Sequence, residues 1–451
     1  MKAMSDDYNK KSRVQSGAWG SIQNLFAEAT NRLKKNGLSE GVYPASEGPL
    51  RIADYGCSTG GNSVAPLSFI VSQFMQKDVK TSGWQTAASK GFVIYLCDLH
   101  ATDWRCTLST VTREKILQEA HKAIQGEVPS SPPLFVLAAP GSFYTPVVPP
   151  CTVDLAYCLV ALHWLSSRPC EEGASPGRGP YSGDMRNTRP EVFAETCRIA
   201  ANDWVTFLRH REKEMAPNGS FLILNVACPQ RSGRFPWSDV SVVIKQAMLE
   251  LADHETEAGR EMTYKVRGLL NAAAIDEDAV TILKCSGEAI HRWVLPCGWR
   301  SGTALRRPFL PDRVSGEAER GTEESEPHFD FDVNFLPKED EKVNGLRLEQ
   351  CEFVEIPCPH KEDLRAGRID AEEFARRVTA ASLAVVGRSL RAELEASGIS
   401  DTVSDALFDA AIERAVPIVA REPDEYCLTM TFFNVLISKE GGECDEIMRG
   451  S

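Results

Sequence analysis

The sequence predicts an open α/β fold, a mainly parallel sheet with helices on both faces, on three observations. Apolar runs of strand length alternate with segments of helical type through the first half: Leu50 to Tyr55, Phe92 to Cys97, Leu134 to Ala138, Val153 to Val160 and Phe221 to Val226. These runs are apolar almost throughout rather than at every second residue, which fits strands buried on both faces by crossover helices. The first of them also runs straight into Gly56-Cys57-Ser58-Thr59-Gly60-Gly61-Asn62, a Gly-rich turn opening onto a helix from Ser63. Open sheets bind nucleotide-like ligands at such a place, because glycine lets backbone approach the ligand at a strand's carboxyl end.

Composition bounds the rest. The 451 residues, 43% hydrophobic and 25% charged, are enough for one large or two moderate globular domains. A formal charge of −13, without a basic stripe, argues against nucleic acid and for small molecules or proteins as partners. No apolar stretch reaches the roughly 20 residues that span a bilayer, and the start, Met1 to Asp7, lacks a signal-peptide core, so the expectation is a soluble, cytoplasmic protein without membrane contact. The 14 cysteines are scattered, several inside apolar segments (Cys97, Cys158, Cys197), with no C-x-x-C pair; reduced, mostly buried thiols are expected.

Further along, residues 170 to 188 read as a long loop after the fourth strand. Asn202 to Met215 carries Trp204, Phe207, Leu208, Arg211 and Met215 at helical spacing and is stopped by Pro217-Asn218-Gly219. Asn218-Gly219-Ser220 matches a glycosylation pattern, but without a secretory signal it is read as the helix stop alone. After Cys228 the alternation breaks down. Residues 229 to 345 read as an inserted cap, with helical stretches at Val242 to Asp253 and Met262 to Ala274 and a flexible acidic stretch at 312 to 327. Residues 1 to 228 and about 346 to 451 would form the core, the latter partly cap helices, at about 371 to 396 and 402 to 420, with a closing strand at 426 to 439.

Three chemistries compete at the first turn. A dinucleotide site prefers G-x-G-x-x-G, and the spacing of Gly56, Gly60 and Gly61 fits it poorly. Gly56 to Gly60 also matches G-x-S-x-G, the nucleophile elbow of serine hydrolases, which would make Ser58 the nucleophile, although that elbow normally follows several strands. The third reading is an S-adenosylmethionine turn, with Asp54 ending strand one and Asp98 ending strand two, placed to hold ribose hydroxyls. Each piece alone is weak, since an acid at a strand end is more often a cap or surface residue.

The order of segments is more specific. Tyr8 to Gln15 (YNKKSRVQ) is followed by Ile52 to Ser58 (IADYGCS), Leu96 to Leu99 (LCDL), Pro140 to Tyr144 (PGSFY) and Leu162 to Ser166 (LHWLS), and then by the helix-turn-strand Asp203 to Leu224. Over about residues 8 to 226 this resembles the SABATH family of S-adenosylmethionine-dependent methyltransferases, known for plant salicylate and jasmonate carboxyl methyltransferases. The resemblance implies a Rossmann-like methyltransferase sheet with a mainly helical cap. It implies that Ser12, Gln15, Asp54, Gly56, Asp98, Leu99, Ser142 and Phe143 line the methyl donor, with Tyr157 and Cys158 beside it. Gln15 and Trp164 would hold the acceptor carboxylate, and Tyr8 and His163 would line its pocket. It also implies a homodimer, and leaves room for a Mg2+ ion that no residue cluster calls for.

The chemistry suits these residue types. A carboxylic acid with a pKa of about 4 is already ionised at pH 7, so methyl transfer to it needs alignment and exclusion of water rather than a general base. The neutral N–H donors of Gln15 and Trp164 orient an oxygen without quenching it as an Arg clamp would. Without the surrounding motifs, Trp164 would read as core with its indole on a backbone carbonyl, and Gln15 as a solvated helix residue. The expected activity is formation of the methyl ester of a small organic acid. The alternatives are N-methylation on the same scaffold, a serine hydrolase using Ser58, and a non-catalytic donor-binding protein.

Overall fold

The computed structural model describes residues 13–36, 48–76, 90–124, 131–169, 186–217, 219–228, 238–272, 278–292, 305, 307–309, 343, 345–426 and 429–440, with backbone alone at 13–17, 291–292, 307 and 388. Seven strands form one sheet in the order β3-β2-β1-β4-β5-β7-β6. These are β1 (Leu50–Tyr55), β2 (Phe92–Asp98), β3 (Leu134–Pro140), β4 (Leu155–Leu159), β5 (Phe221–Cys228), β6 (Leu346–Ile356) and β7 (Met430–Lys439). The first five run parallel, and β7 lies antiparallel to both β5 and β6. The chain steps outward from β1 through β2 to β3, then returns to lay β4 on the other side of β1. This reversal opens a crevice at the carboxyl ends of β1 and β4.

Alternating side chains serve the two faces of the sheet. One buries Ile52, Ile94, Tyr157 and Ile223 against α1 (Arg13–Asn36), α2 (Val64–Met75) and α4 (Arg113–Ala123), the last preceded by the short α3 (Trp104–Thr110). The other buries Ala53, Tyr55, Ala156, Cys158 and Leu222 against Trp204, Phe207 and Leu208 of α5 (Pro190–Glu214). Each large apolar side chain so buried contributes about 1.5–3 kcal/mol. The helix α5 starts with Pro190 in its first turn, earlier than the pattern from Asn202 indicated. Its end is pinned to the sheet, because Ala216 N–H donates to the Val153 carbonyl at 2.8 Å.

Helices α6 (Ser238–Ala252), α7 (Glu257–Ala272) and α8 (Ala279–Arg292) share one core with α10 (Ala371–Ala396) and α11 (Asp401–Arg421), which follow the short α9 (Pro359–Arg365). Met248, Val266, Leu283, Phe374, Leu390, Leu407 and Val419 form its centre, and it reaches the sheet at Phe432 of β7.

The structure corrects several sequence expectations. The closing strand begins at Met430 rather than Tyr426. The fourth run is shorter than Val153 to Val160: Asp154 accepts from the Arg51 backbone N–H at 2.8 Å and from its guanidinium, and Val160 leaves at φ 51°. The third run is the sheet's edge and exposes Phe135 and Leu137, so it is not buried on both faces. A seventh strand, β6, has no counterpart in the sequence reading. Nine described cysteines are free thiols, but Cys151 is disulfide-bonded, against the fully reduced expectation. The acidic stretch 312–327 and most of the loop 170–188 lie outside the described residues.

Candidate active site

The turn after β1 is built around three left-handed residues, Gly56 (φ 93°), Ser58 (φ 49°) and Gly60 (φ 80°). A side chain at position 56 would sit 2.5 Å from the Ala161 Cβ and 3.8 Å from the Phe143 ring, so only glycine lets the turn pass between the β4 exit and the β3 loop. Asp98 holds the turn. Its Oδ2 accepts from Ser58 N–H at 2.7 Å, and its Oδ1 accepts from Leu99 N–H and the Thr102 hydroxyl, each at 2.8 Å. A carboxylate offers about four lone-pair positions, so Asp98 keeps acceptor capacity beyond these three bonds.

Asp54, at the end of β1, is buried and lies level with Tyr157 of β4. Burial pushes its pKa up to about 7; the Ser63 and Tyr157 hydroxyls pull it down, and the nearby Asp98 charge adds to the rise. The Tyr157 hydroxyl has no partner of good hydrogen-bond geometry, yet it faces the Asp54 carboxyl closely enough for each to perturb the other. Ser58 Oγ is likewise buried without a partner. Cys158 is fully buried on the face toward α5, and burial raises its thiol pKa strongly.

Beyond β3, Gly141 N–H donates to the Asp98 carbonyl at 2.7 Å, tying the Ser142-Phe143 loop to the end of β2. Phe143 packs edge-on to Tyr144 and Phe207, with centroids 4.7 and 6.0 Å apart. Tyr144 in turn fixes the β4 exit, its hydroxyl donating to the Trp164 carbonyl at 2.8 Å. Trp164 is half-buried, sits beside the helical core of the cap and stacks obliquely on His163 at 4.8 Å. No hydrogen bond among the described residues engages its indole N–H. Trp204 behaves differently, burying its ring and donating its indole N–H to the Leu305 carbonyl at 3.3 Å. Asp203, one residue earlier on α5, accepts from Ser166 N–H at 2.8 Å and Ser166 Oγ at 2.6 Å, holding the end of the LHWLS segment.

The structure thus brings Gly56, Asp98, Leu99 and Phe143 together beyond β1 and β2 and sets Asp54 against Tyr157; Ser142 lies on the loop that Gly141 ties to Asp98, Trp164 lies at the exit of β4 beside His163, and Cys158 faces α5. Gln15 lies in the first turns of α1, and its side chain is outside the described residues, as are Tyr8 and Ser12 entirely. Asp203, Tyr144, Arg211 and Glu214 were missed as supports. For Arg211 the available signal was a charged residue in register with the apolar stripe of α5.

The strand order, the switch point between β1 and β4 and the strand-end acids define an α/β protein of the nucleotide-crevice class. The chain belongs to the SAM dependent carboxyl methyltransferase family, whose model matches residues 3–264. It is 27% identical over 228 residues to loganic acid O-methyltransferase of Catharanthus roseus, covering 49% of this chain and 53% of that one. Gibberellic acid methyltransferase 2 of Arabidopsis thaliana is 26% identical, with 54% and 62% covered. A 3,7-dimethylxanthine N-methyltransferase of Camellia sinensis var. assamica is 28% identical, with 39% and 45% covered. The matches span about half the length of these relatives. The fold is also that of a solved loganic acid methyltransferase with SAH, at TM-score 0.60 and 16% identity over 98% of this chain and 99% of that one.

The crevice suits such a donor chemically. Its polar groups are acceptor-rich, two carboxylates with the Ser58 and Tyr157 hydroxyls, and match a ligand carrying positive charge, an amine and ribose hydroxyls. No helix among the described residues is long and apolar enough to cross a membrane, and no group there could hold a metal ion.

Proposed function

We propose that the protein methylates the carboxylate of a small organic acid, with S-adenosylmethionine as donor, giving the methyl ester and S-adenosylhomocysteine. When bound, the donor supplies an electrophilic methyl on a sulfonium. Asp54 and Asp98 hold its polar groups, Gly56 lets it approach the backbone, and Leu99, Ser142, Phe143, Tyr157 and Cys158 line it, with Ser12 and Gln15 from the amino-terminal segment. Gln15 and Trp164 orient the acceptor carboxylate. Tyr8 and His163 shape its pocket, and His163 has no proton-transfer role. The observation that carries this reading is Trp164, half-buried at the exit of β4 with its carbonyl fixed and its indole N–H unengaged among the described residues, which leaves that donor available to an acceptor oxygen.

The hydrolase reading loses support, since Ser58 Oγ is buried without a partner and so has no base to activate it. N-methylation stands second, because a xanthine N-methyltransferase is among the relatives. Residues 229–345 are proposed as the cap over the acceptor, with 1–228 and about 346–451 as the core, the helices α10 and α11 of the latter joining the cap. A cytoplasmic setting fits the nine free thiols, Cys151 being the exception. A homodimer is carried from the family resemblance.

The test is calorimetry with S-adenosylhomocysteine, followed by labelled-donor assays on panels of carboxylic acids and xanthines. Ester formation is expected, and Trp164→Ala should lower kcat/KM for the acid by about 10- to 100-fold while leaving product affinity near wild type; Gln15→Ala should lower kcat/KM at least as far and weaken product binding as well. Transfer that survives both substitutions unchanged rejects the acceptor assignment. Transfer confined to ring nitrogens favours the second reading.

A further inference from the structure

Arg211 and Glu214, near the end of α5, form an ion pair where water does not reach. Their side chains are 0% and 2% exposed, and Arg211 Nη2 lies 2.9 Å from Glu214 Oε2. The guanidinium is sandwiched against aromatic rings, 4.0 Å from the Tyr55 centroid and 5.1 Å from that of Phe207. A buried pair of this kind contributes little net stability compared with apolar side chains of similar volume, because both charges lose their hydration.

What distinguishes this pair is where its remaining bonds go. Arg211 donates to the Phe143 carbonyl at 3.0 Å and the Thr145 carbonyl at 3.2 Å. Glu214 Oε1 accepts from Val147 N–H at 2.6 Å and Val148 N–H at 3.2 Å, and its Oε2 accepts from the Tyr55 hydroxyl at 2.6 Å. Four of these five bonds end on the backbone of one segment, residues 143–148, which has no regular secondary structure to satisfy it. The fifth ends on β1, one residue past Asp54. The same segment begins with Phe143, whose ring closes on Gly56.

We propose that Arg211 and Glu214 are positioning residues for the donor site: together they fix the Ser142-Phe143 backbone against the glycine turn, and so set donor affinity without touching the donor. The inference rests on reading Ser142 and Phe143 as donor-lining. A forked guanidinium suits the task, because it reaches two carbonyls of one loop while remaining paired to the carboxylate; a lysine in its place keeps the charge and loses the fork.

Three variants test it, each measured by melting temperature, calorimetry with S-adenosylhomocysteine and amide exchange over residues 141–148. Arg211→Lys should weaken product binding by about tenfold and speed exchange across the segment. Arg211→Met combined with Glu214→Leu, which leaves no unpaired buried charge and so retains the fold, should do the same. Ile116→Ala, a cavity in α4 on the opposite face of the sheet, should lower the melting temperature yet keep product affinity within about twofold and exchange of the segment unchanged. The proposal is overturned if the pair variants bind product like wild type, or lose affinity only in step with Ile116→Ala at equal loss of melting temperature. Should wild type bind no product, the donor reading fails; exchange at 141–148 then decides the positioning claim, and protection unchanged in both pair variants would refute it.

Discussion

The two ends of the crevice are held by opposite means. Where β1 and β2 finish, one carboxylate does most of the holding: Asp98 secures the turn 40 residues before it, its own neighbour Leu99 and Thr102 four residues on, and the glycines supply the left-handed backbone. Where β4 finishes, the holding is divided among separate elements. Tyr144 ties down the Trp164 carbonyl, Asp203 holds Ser166, and the cap core packs beside Trp164. The difference teaches a division of labour. At the first end the geometry depends on a single carboxylate, whereas the second is assembled from elements that can change without disturbing the first.

Breaking the Asp98 end should have the larger effect. Asp98→Ala removes three hydrogen bonds, one of them to the turn, together with acceptors for the ligand, and S-adenosylhomocysteine affinity should fall by about 100-fold, read by calorimetry. An unchanged affinity would mean that the turn is not the donor site. Asp203→Ala tests the β4 end. Freed of its anchor, the Ser166 backbone should raise KM for the acid by about tenfold while product affinity stays near wild type. Equal losses for both ligands would erase the distinction.

The smallest effect concerns pH. Burial raises the Asp54 pKa to about 7 in the ligand-free protein, so the carboxyl is mostly protonated at pH 6 and mostly ionised at pH 8. A ligand that donates hydrogen bonds to Asp54 favours the ionised form, so product affinity should rise with pH through this window by at most about tenfold. Asp54→Asn should flatten that dependence. The sign for stability is opposite: with its folded pKa above the unfolded value, Asp54 makes the ligand-free protein less stable as pH rises from about 4 to about 7. The Asn variant, titrated by thermal melting, should lack that decline.

The central parallel strands were legible because they are buried on both faces and therefore apolar almost throughout; Phe221–Cys228 has no exposed residue. The strand Leu346–Ile356 was hidden for the converse reason. It lies at the sheet edge, exposes Arg347, Glu352 and Glu355, and carries a register shift between Leu348 and Gln350 that breaks the alternation. The same split runs through the site. Asp54, Gly56 and Asp98 could be found because strand ends and glycine turns are local signals. Asp203 and Glu214 could not, since a charged residue on a helix reads as a solvated face until packing shows that the face is covered; Arg211 differed only in standing in register with the apolar stripe.

One link joins the two ends of the chain. Asn225 of β5 donates to Asn434 of β7 at 2.7 Å, and Asn434 donates onward to the Ser21 carbonyl of α1 at 2.9 Å. The helix bearing Gln15 is therefore moored to a strand that leaves the ribosome 413 residues later. During synthesis the first five strands can pair while α1 still lacks this mooring. The order of translation thus becomes an order of competence, with the helix that bears Gln15 locked in only after β7 has emerged.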